Sequence, residues 1–416
     1  MKVWNPAVDH QPAEVLVSAT VDDVRAGLAK ATAAGLGISV LGGGHDWLGR
    51  SVRHGGLVLD LSGMRTVTVS ENIAVVGGGT RSLEVATIVE KAGGSVVAGT
   101  VGSVGVASFT TGGGYGYLNS LVGTGSDNLI AADVVLADGT LVHASEQEDS
   151  DLLWALRGGG GNFGVVTALH LRVHPLTTAL TGMVAFSWDQ AATVLRGFGE
   201  ICAEAPDEFS ARAGVVTLPG GPTVAYVAPA WMGNPADGEE WMGRVTRLGT
   251  PLIADLRIKP FSDVLREGEA MLAGNDHHHS MATRNIAALD PDVVAAIIEA
   301  AEARTSPASV IEIVQFHGAA TRVPAEATAF AQRSPHFLIQ LIGSWNPGDS
   351  AESQAWARDT SRKLAPYALP GGYPNVLGPD DKEQVAHAYG PNADRLLSLK
   401  RRYDPQSVFS ASPLPY

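Results

Sequence analysis

The amino-acid sequence predicts a two-domain α+β protein, and three observations lead to that fold class. The chain has 416 residues, which is more than one hydrophobic core ordinarily holds. Helical and strand patterns alternate through residues 20–175, whereas the apolar strands and the helices are longer from residue 176 onward. A hairpin pattern at residues 134–142 predicts adjacent antiparallel strands, so a purely parallel sheet is disfavoured.

The first domain begins with a well-marked helix. Residues 21–34 are predicted to be helical because Thr20 and Asp23 can form a capping pair and Gly35 supplies a stop. In the hairpin, Asp138-Gly139 predicts a type I′ turn, since these residue types tolerate positive φ. The other elements predicted here are strands at 38–41, 57–61 and 73–76 and a helix at 82–92.

The second domain carries longer elements. Its predicted elements include a helix at 293–303 and strands at 309–316 and 337–345, and residues 392–409 return to a helix followed by a turn. Alternate residues of a strand point to opposite faces of the sheet. Only every second side chain of these strands can therefore reach a common site.

Composition and charge exclude several classes of function. The net charge of −14 and the absence of a basic stripe argue against nucleic acid as a partner. Cys202 is the only cysteine, which rules out an internal disulfide and a multi-cysteine metal or iron–sulfur site. No uninterrupted run of about 18 apolar residues occurs, so no membrane span is expected. We expect a cytoplasmic protein.

Two glycine-dense segments are the strongest functional signal. The first, residues 41–45, follows a predicted strand and ends in His45, and the second, residues 99–116, alternates glycine with small residues. Consecutive glycines let backbone N–H groups surround an anion such as a pyrophosphate. A tight turn would also explain the first segment, although the second weakens that explanation. Residues 159–164 match the dinucleotide fingerprint but follow a helix and precede a strand, the reverse of a Rossmann site.

Several ordered motifs extend these signals over nearly the whole chain. They are Gly43-Gly44-His45-Asp46-Trp47, residues 99–116, Asp127-Asn128, residues 153–166, residues 322–330, and Tyr389-Gly390-Pro391-Asn392 leading to Tyr403-Asp404-Pro405. In these motifs the sequence resembles the FAD-linked oxidases of the vanillyl-alcohol-oxidase superfamily. The resemblance is to the berberine-bridge-enzyme-like branch, in its bacterial, 6-hydroxy-D-nicotine-oxidase-like form. It implies a PCMH-type FAD-binding domain at residues 1–175, a substrate-binding domain at 176–370 with an antiparallel sheet covered by helices, and a C-terminal segment at 371–416 that returns to the FAD domain.

The resemblance also assigns roles within the glycine segments. His45 is expected to bond covalently to the 8α carbon of FAD, and the flanking glycines are expected to hold the pyrophosphate. Many relatives add a second, cysteinyl link, but this chain has Val101 at that position, so we expect a single link. The predicted cofactor-binding residues are Leu41, Gly42, Gly43, Gly44, His45, Asp46, Trp47, Thr100, Val101, Ser103, Val104, Gly105, Ser108, Thr111, Gly112, Asn128, Gly164, Val166 and Asn375.

The predicted catalytic residues are Tyr373, Asn375, Gln340 and Val104. By resemblance, Tyr373 is the base and Asn375 lies beside the flavin, although Gly-Gly-Tyr-Pro-Asn is also an ordinary turn composition. A phenol accepts a proton at neutral pH only if a cation or strong hydrogen-bond donors lower its pKa. Gln340 is predicted either to face the same cavity or to make a structural hydrogen bond. Val104 stands where a small residue admits O2 in such enzymes.

The run His277-His278-His279 allows three interpretations. Two histidines on one face of a strand are too few for a metal site, so we predict no bound metal. A solvated loop or sheet face and a substrate contact above the flavin remain open.

The sequence therefore predicts an FAD-dependent oxidase. We expect it to take hydride from a C–H bond next to oxygen or nitrogen of a small molecule and to reduce O2 to H2O2. A dehydrogenase that uses another electron acceptor is one alternative, and a non-catalytic flavin-binding or ligand-binding protein is another. The sequence leaves open whether the substrate is an alcohol, a sugar or an amine, and it does not indicate the oligomeric state.

Overall fold

A small parallel sheet forms the N-terminal part of the computed structural model, which describes residues 3–272, 276–348 and 351–416. The strand order is β1-β3-β2, with β1 at Glu14–Val17, β2 at Ile38–Leu41 and β3 at Leu57–Asp60. Helix α1, Val21–Ala34, connects β1 to β2 and has the predicted bounds. Thr20 and Asp23 form the capping box, and Gly35 ends the helix at φ 64°.

A five-stranded antiparallel sheet follows, in the order β4-β5-β8-β6-β7. Its strands are β4 (Val67–Ser70), β5 (Ile73–Gly77), β6 (Leu129–Val135), β7 (Leu141–Ala144) and β8 (Val165–Arg172). Its helices are α2 (Ser82–Lys91), α3 (Val106–Thr111), α4 (Asn119–Val122) and α5 (Ser150–Leu156). One face of the sheet packs against α2, α3 and α5 in a continuous apolar core.

The hairpin between β6 and β7 is present, but its predicted type I′ turn is wrong. Leu136 N–H donates to the carbonyl of Thr140 at 2.8 Å, so three residues, 137–139, form the loop. Gly139 has φ 85°, whereas Asp138 is not among the positive-φ residues that a type I′ turn would require. A three-residue loop with one left-handed glycine satisfies the strand twist in another way.

The largest sheet has seven antiparallel strands in the order β12-β9-β11-β10-β14-β15-β13. The strands are β9 (Thr178–Ser187), β10 (Phe209–Thr217), β11 (Thr223–Trp231), β12 (Pro251–Pro260), β13 (His278–Ile286), β14 (Val310–Phe316) and β15 (His336–Trp345). The helices of this region are α6 (Ala191–Ala203), α7 (Pro235–Thr246), α8 (Phe261–Leu272), α9 (Pro291–Glu302), α10 (Ala319–Arg322) and α11 (Ala351–Leu364).

The two faces of this large sheet differ in polarity. Apolar residues of one face pack with α6, α7, α9 and α11 in the largest core of the described chain. The opposite face carries polar side chains, among them Arg212 and Glu312. An antiparallel sheet covered by helices on one side leaves its second face available for a site.

The C-terminal segment packs onto the five-stranded sheet. It contains α12 (Lys382–His387) and α13 (Ala393–Tyr403). Leu396 and Tyr403 belong to the same apolar core as α5, and Lys400 Nζ donates to Asn162 and Phe409 carbonyls, both at 2.7 Å. The α+β fold class is therefore as predicted, while the division at residues 175 and 370 remains a prediction. Within the described ranges, no helix is both long and apolar enough to cross a bilayer.

Candidate active site

The two glycine-dense segments meet backbone to backbone. A Cβ atom on Gly43 would lie 2.1 Å from the Gly105 nitrogen, and a Cβ on Gly105 would lie 2.5 Å from the Gly43 nitrogen. Both distances are far below van der Waals contact. Glycine is therefore required at both positions so that the two loops can cross.

A third glycine run, Gly77-Gly78-Gly79, joins this crossing, and the sequence reading overlooked it. A Cβ on Gly78 would lie 2.1 Å from the carbonyl oxygen of Val166, and one on Gly79 would lie 1.8 Å from that of Leu61. The run begins at the last residue of β5, much as residues 42–44 follow the end of β2. Three consecutive glycines after a strand were a signal that could have found it.

Arg81 follows the third glycine run and brings a positive charge to the crossing. It forms a β-bridge with Gly105, and its charge contributes to lowering the pKa of His45. Among the residues that the structure describes, the buried Nε of Arg81 has no hydrogen-bond partner. A cation beside glycine loops suits a bound anion. Arg81 was not predicted, because nothing in its local sequence indicates its neighbours.

His45 is connected to helix α8 by hydrogen bonds. Its Nε2 lies 2.5 Å from the Ser103 hydroxyl, which in turn bonds to the Glu269 carboxylate. The Ser103 N–H also donates to Glu269 Oε2, at 2.9 Å. Gly268 allows this contact, because a Cβ there would lie 1.9 Å from the carbonyl oxygen of Thr100. Glu269 lies 166 residues from Ser103 in sequence, so no local pattern could have revealed it.

Aromatic rings enclose the other side of His45. Trp4 stacks on His45 at 5.3 Å between ring centroids and on His279 at 4.7 Å, and Trp47 packs edge-on against Trp4. Burial is the main cause that lowers the pKa of His45 to about 4. His45 is consequently a neutral imidazole at neutral pH.

In the run His277-His278-His279, the contacts of His279 are structural. His279 is buried, and its Nδ1 lies 2.9 Å from the Ser344 hydroxyl. Its N–H donates to the Asn5 side chain at 3.1 Å, and Asn5 also bonds to the carbonyl of Trp47. His279 therefore supports the His45 loop from behind. His278 packs edge-on against Trp345, and His277 lies just before β13.

Asp46 and Arg50 connect the His45 loop to the C-terminal motif. Arg50 Nε donates to Asp46 Oδ1 at 2.9 Å, and the two groups form a salt bridge. The same guanidinium donates to the carbonyls of Asn375 at 2.9 Å and Leu377 at 3.2 Å. Asp46 thus orients Arg50, and Arg50 holds the segment that contains Asn375.

Tyr373 and Asn375 pack against the second glycine segment. The Tyr373 hydroxyl accepts hydrogen bonds from the Gly114 N–H at 3.0 Å and from Asn375 Nδ2 at 2.8 Å. Asn375 also contacts α3, since a Cβ on Gly112 would lie 1.8 Å from its Oδ1. Burial raises the pKa of Tyr373, and the donors of Asn375, Gly114 and Tyr115 act in the opposite direction. Among the described residues, no positively charged side chain contributes to lowering the pKa of this hydroxyl.

Tyr115 forms the layer behind Tyr373. The two rings stack at 4.4 Å between centroids, and the Tyr115 hydroxyl lies 3.0 Å from His336 Nε2. His336 Nδ1 lies 2.7 Å from the carbonyl of Ser334, which fixes the proton on Nδ1 and makes Nε2 the acceptor. Burial lowers the pKa of His336 to about 4.

Gln340 belongs to a polar group on the open face of the large sheet. Its Nε2 donates to Glu312 at 3.0 Å, and Glu312 forms a 2.8 Å salt bridge with Arg212. Arg212 also donates to the Thr100 hydroxyl at 2.8 Å, so the group reaches the second glycine segment. Gln340 therefore makes a structural hydrogen bond and lies on the face that a substrate could occupy.

Other predicted cofactor contacts are occupied within the protein. Asn128 uses its amide for Val122, Thr124 and His174, and Thr111 donates to the carbonyl of Ala107. The buried predicted positions are Leu41, Gly44, Gly105, Thr111, Gly112, Asn128, Gly164 and Val166. Ser108 is exposed, and the half-buried ones are Gly42, Gly43, His45, Asp46, Trp47, Thr100, Val101, Ser103, Val104 and Asn375. The half-buried and exposed positions are the ones that a ligand could touch directly.

Comparison with protein families assigns the two ends of the chain. Residues 12–145 match the family described as FAD binding domain, and residues 372–413 match the family described as berberine and berberine like. The glycine crossing lies in the first match, and Tyr373 and Asn375 lie in the second. The chain is an FAD-dependent oxidoreductase, and it is similar to the FAD-linked oxidases of the vanillyl-alcohol-oxidase family.

Relatives and solved structures resemble this oxidoreductase over nearly its full length. Xylooligosaccharide oxidase of Thermothelomyces thermophilus is 28% identical over 440 residues, which are 98% of this chain and 87% of that protein. The crystal structure of 6-hydroxy-D-nicotine oxidase from Arthrobacter nicotinovorans has a TM-score of 0.90 at 25% identity, covering 100% of this chain and 94% of that one. Glucooligosaccharide oxidase from Acremonium strictum, which carries a 6-S-cysteinyl, 8α-N1-histidyl FAD, has a TM-score of 0.85 at 25% identity, with 100% and 94% coverage.

The residues of the oxidoreductase fit its cofactor. The glycine crossing at Gly43 and Gly105 brings the backbones of two loops together with no side chain between them, and Arg81 offers an unsatisfied donor beside them. His45 and Asn375 are half-buried, which leaves their side chains within reach of a ligand. The site therefore offers both neutral and charged hydrogen-bond donors, which are the groups that a pyrophosphate and a flavin require.

Proposed function

We propose that the protein is an oxidase whose FAD is bonded through its 8α carbon to His45 and that oxidises a small molecule at a C–H bond next to oxygen or nitrogen. The observation that carries this proposal is the hydrogen-bonded series from His45 through Ser103 to Glu269. This series gives the imidazole the protonation state and the orientation that bond formation at one ring nitrogen requires.

The hydrogen bonds specify which nitrogen of His45 carries the proton. The Ser103 hydroxyl donates to the Glu269 carboxylate, so its oxygen accepts from His45. The proton therefore sits on Nε2 and the lone pair on Nδ1, for which the described residues offer no hydrogen-bond partner. Nδ1 is the nucleophilic nitrogen, and Glu269 is placed to receive the Nε2 proton through Ser103.

The low pKa of His45 supports the same role. Because burial lowers it to about 4, the imidazole keeps its lone pair throughout the neutral pH range. A protonated imidazole could not form the bond. Trp4 stacks on the ring and limits its rotation.

A single covalent link follows from the position of the only cysteine. Cys202 lies on α6, buried in the core between that helix and the large sheet, and burial raises the pKa of its thiol. By the resemblance to relatives with two links, Val101 stands at the position of their linking cysteine. No other thiol exists in the chain, so a cysteinyl link is not proposed.

Substrate oxidation is proposed to use Tyr373 as base. When bound, FAD supplies the acceptor for the substrate hydride and the electrons that convert O2 to H2O2. The Tyr373 hydroxyl accepts two N–H hydrogen bonds, which favour the phenolate, while burial disfavours it. Further stabilisation of the phenolate is proposed to come from FAD and substrate when they are bound. Asn375 orients the hydroxyl, since its Nδ2 lies 2.8 Å away.

The open face of the large sheet is proposed to bind the substrate. Arg212, Glu312 and Gln340 are linked by hydrogen bonds there and offer donors and acceptors to a polar small molecule. Alcohols, sugars and amines all fit such a group. Glucooligosaccharide oxidase and 6-hydroxy-D-nicotine oxidase are both similar to this chain, and their names point to different substrates. We therefore propose which type of bond reacts and do not name a single substrate.

Val104 is the proposed determinant of oxygen access. Its carbonyl accepts from the N–H of Ser82 at 2.9 Å and from the Ser82 hydroxyl at 3.1 Å, which fixes the residue beside the glycine crossing. Its side chain is half-buried. A small side chain at a rigid position leaves space that a larger one would fill.

The covalent link is tested on denatured protein. Wild-type protein should retain yellow, fluorescent flavin after denaturing electrophoresis, with an intact mass equal to chain plus FAD. His45→Ala should lose that mass increment, and His54→Ala, which changes an exposed histidine, should keep it. Flavin that stays attached in the His45 variant would contradict the assignment.

The oxidase function is tested by stopped-flow reoxidation after anaerobic reduction with candidate alcohols, sugars and amines. We expect reduced wild-type protein to react with O2 faster than free reduced flavin and to form H2O2. Val104→Leu should slow that reaction while leaving the reductive step unchanged. Reoxidation no faster than that of free flavin would favour a dehydrogenase, and failure of every substrate to bleach the flavin would favour a non-catalytic binding protein.

A further inference from the structure

A cluster of two histidines and one aspartate lies on the five-stranded sheet, and the oxidoreductase chemistry does not use it. Asp133 is on β6, His143 on the edge strand β7 and His170 on β8. These strands are neighbours in the order β8-β6-β7, so Asp133 is on the central strand of the three. Each strand contributes one side chain to the same face.

The register of the strands fixes this arrangement. Asp133 pairs directly with His143 across β6 and β7. On the other side, His170 pairs with Ala131, two residues before Asp133, and Ala168 pairs with Asp133 itself. The small side chains of Ala131 and Ala168 leave the space between the three polar groups open.

The side-chain atoms are close enough to share one ion. His143 Nδ1 lies 2.7 Å from Asp133 Oδ1, and His170 Nε2 lies 3.6 Å from Asp133 Oδ2. One ligand atom from each residue can be chosen so that all three lie within 4.8 Å of one another. Ligand atoms around a tetrahedral zinc ion are about 3.3 Å apart, so only small side-chain rotations are needed.

His170 provides a second, independent indication. Its Nε2 is buried and has no hydrogen-bond partner in the part of the chain that the structure describes, although the ring as a whole is 24% exposed. The Asp133 oxygen at 3.6 Å is beyond hydrogen-bond distance. A cation between this nitrogen and the carboxylate oxygen would satisfy both groups, with the imidazole in the tautomer that has its lone pair on Nε2.

We propose that Asp133, His143 and His170 bind a divalent transition-metal ion of the zinc class. Two imidazole nitrogens and one carboxylate oxygen are ligands that Zn²⁺, Ni²⁺ and Cu²⁺ prefer, whereas Mg²⁺ and Ca²⁺ prefer oxygen alone. The side chains of Asp133 and His143 are 33% and 40% exposed, which leaves an open position for water and an entry path. The ion links edge strand β7 to β6 and β8. The proposal departs from the prediction of no bound metal, which rested on the single cysteine and on the run His277–His279.

The experiment is zinc binding to the flavin-loaded enzyme, measured by isothermal titration calorimetry and by the shift in thermal midpoint. We expect one zinc per chain with micromolar affinity, a raised midpoint, and no effect of Mg²⁺ at the same concentration. His143→Ala and His170→Ala should each weaken zinc binding at least about tenfold. His387→Ala, an exposed histidine on α12, is the matched control and should bind as wild type does.

Cobalt(II) provides a readout of geometry. A visible absorption band typical of four-coordinate cobalt should appear in wild type and in His387→Ala, and it should be absent from Asp133→Asn. Equal zinc affinity in wild type, His143→Ala and His170→Ala would overturn the proposal, because any bound zinc would then be elsewhere, for instance at His277–His279. Absence of zinc binding at millimolar concentration would also overturn it.

Discussion

The Gly43 nitrogen and Cα lie against Gly105 so closely that a Cβ on Gly105 would be 2.5 Å from the one and 3.1 Å from the other. This contact joins the loop that carries His45 to the loop that carries Ser103. It therefore helps to set the distance between the imidazole and the hydroxyl.

Gly43→Ala should destabilise the protein and reduce its flavin content. The new Cβ would lie 2.1 Å from a backbone nitrogen, which cannot move without separating the two loops. We expect a loss of about 2 kcal/mol or more in the free energy of unfolding. Gly42→Ala is the neighbouring control, since its Cβ would make an ordinary 3.5 Å contact with the Gly78 carbonyl. Equal thermal midpoints for the two variants would contradict the crossing.

Glu269→Gln should lower the fraction of covalently bound flavin. The amide cannot take up the proton that leaves His45 through Ser103, so formation of the bond should slow, while non-covalent flavin binding should continue. Intact mass measured at several times after adding FAD to apoprotein reports the rate. Glu267→Gln changes a carboxylate on the same helix that pairs with Lys259 at 2.7 Å, and it should flavinylate as wild type does. A normal rate in Glu269→Gln would remove Glu269 from the proposal while leaving the role of His45 intact.

Tyr373→Phe should slow flavin reduction by about 10²- to 10⁴-fold if Tyr373 is the base. The substitution also leaves the Gly114 N–H without its acceptor, at a cost of about 1–3 kcal/mol in stability. Tyr115→Phe is the matched control, because Tyr115 stacks on Tyr373 and its hydroxyl bonds to His336 instead. Anaerobic stopped-flow reduction should separate the two. Similar slowing in both variants would indicate a packing effect and not a base.

Acid should destabilise the protein through His336. Its pKa is about 4 in the folded protein, below the ordinary value of 6.5, so the unfolded chain binds the proton more tightly. The contribution of the neutral ring to the free energy of unfolding is fully present above pH 6.5. It decreases by about 3 kcal/mol as the pH falls towards 4. Urea unfolding at pH 7 and pH 4.5 should show a smaller decrease for His336→Gln than for wild type. His387→Gln should decrease as wild type does, and identical decreases in all three would contradict the role of His336.

Local patterns predicted the elements well where a residue type acts on its neighbours. Thr20, Asp23 and Gly35 bound α1 at the predicted residues, because capping depends on groups three or four positions apart. The residues Asp138-Gly139 predicted the hairpin but not the length of its loop. The same glycine serves a two-residue or a three-residue loop, and the pairing of β6 with β7 decides between them.

The sequence by itself determined the α+β fold class, the resemblance to FAD-linked oxidases and the glycine segments beside His45, because backbone conformation and motif order are properties of short stretches of chain. Only the tertiary structure decided what surrounds His45. Glu269 and Trp4 reach it from distant parts of the chain, and Arg81 reaches it from the overlooked third glycine run. The protonation of an imidazole depends on burial and on charges within a few ångströms, and these are set by how the chain folds back on itself.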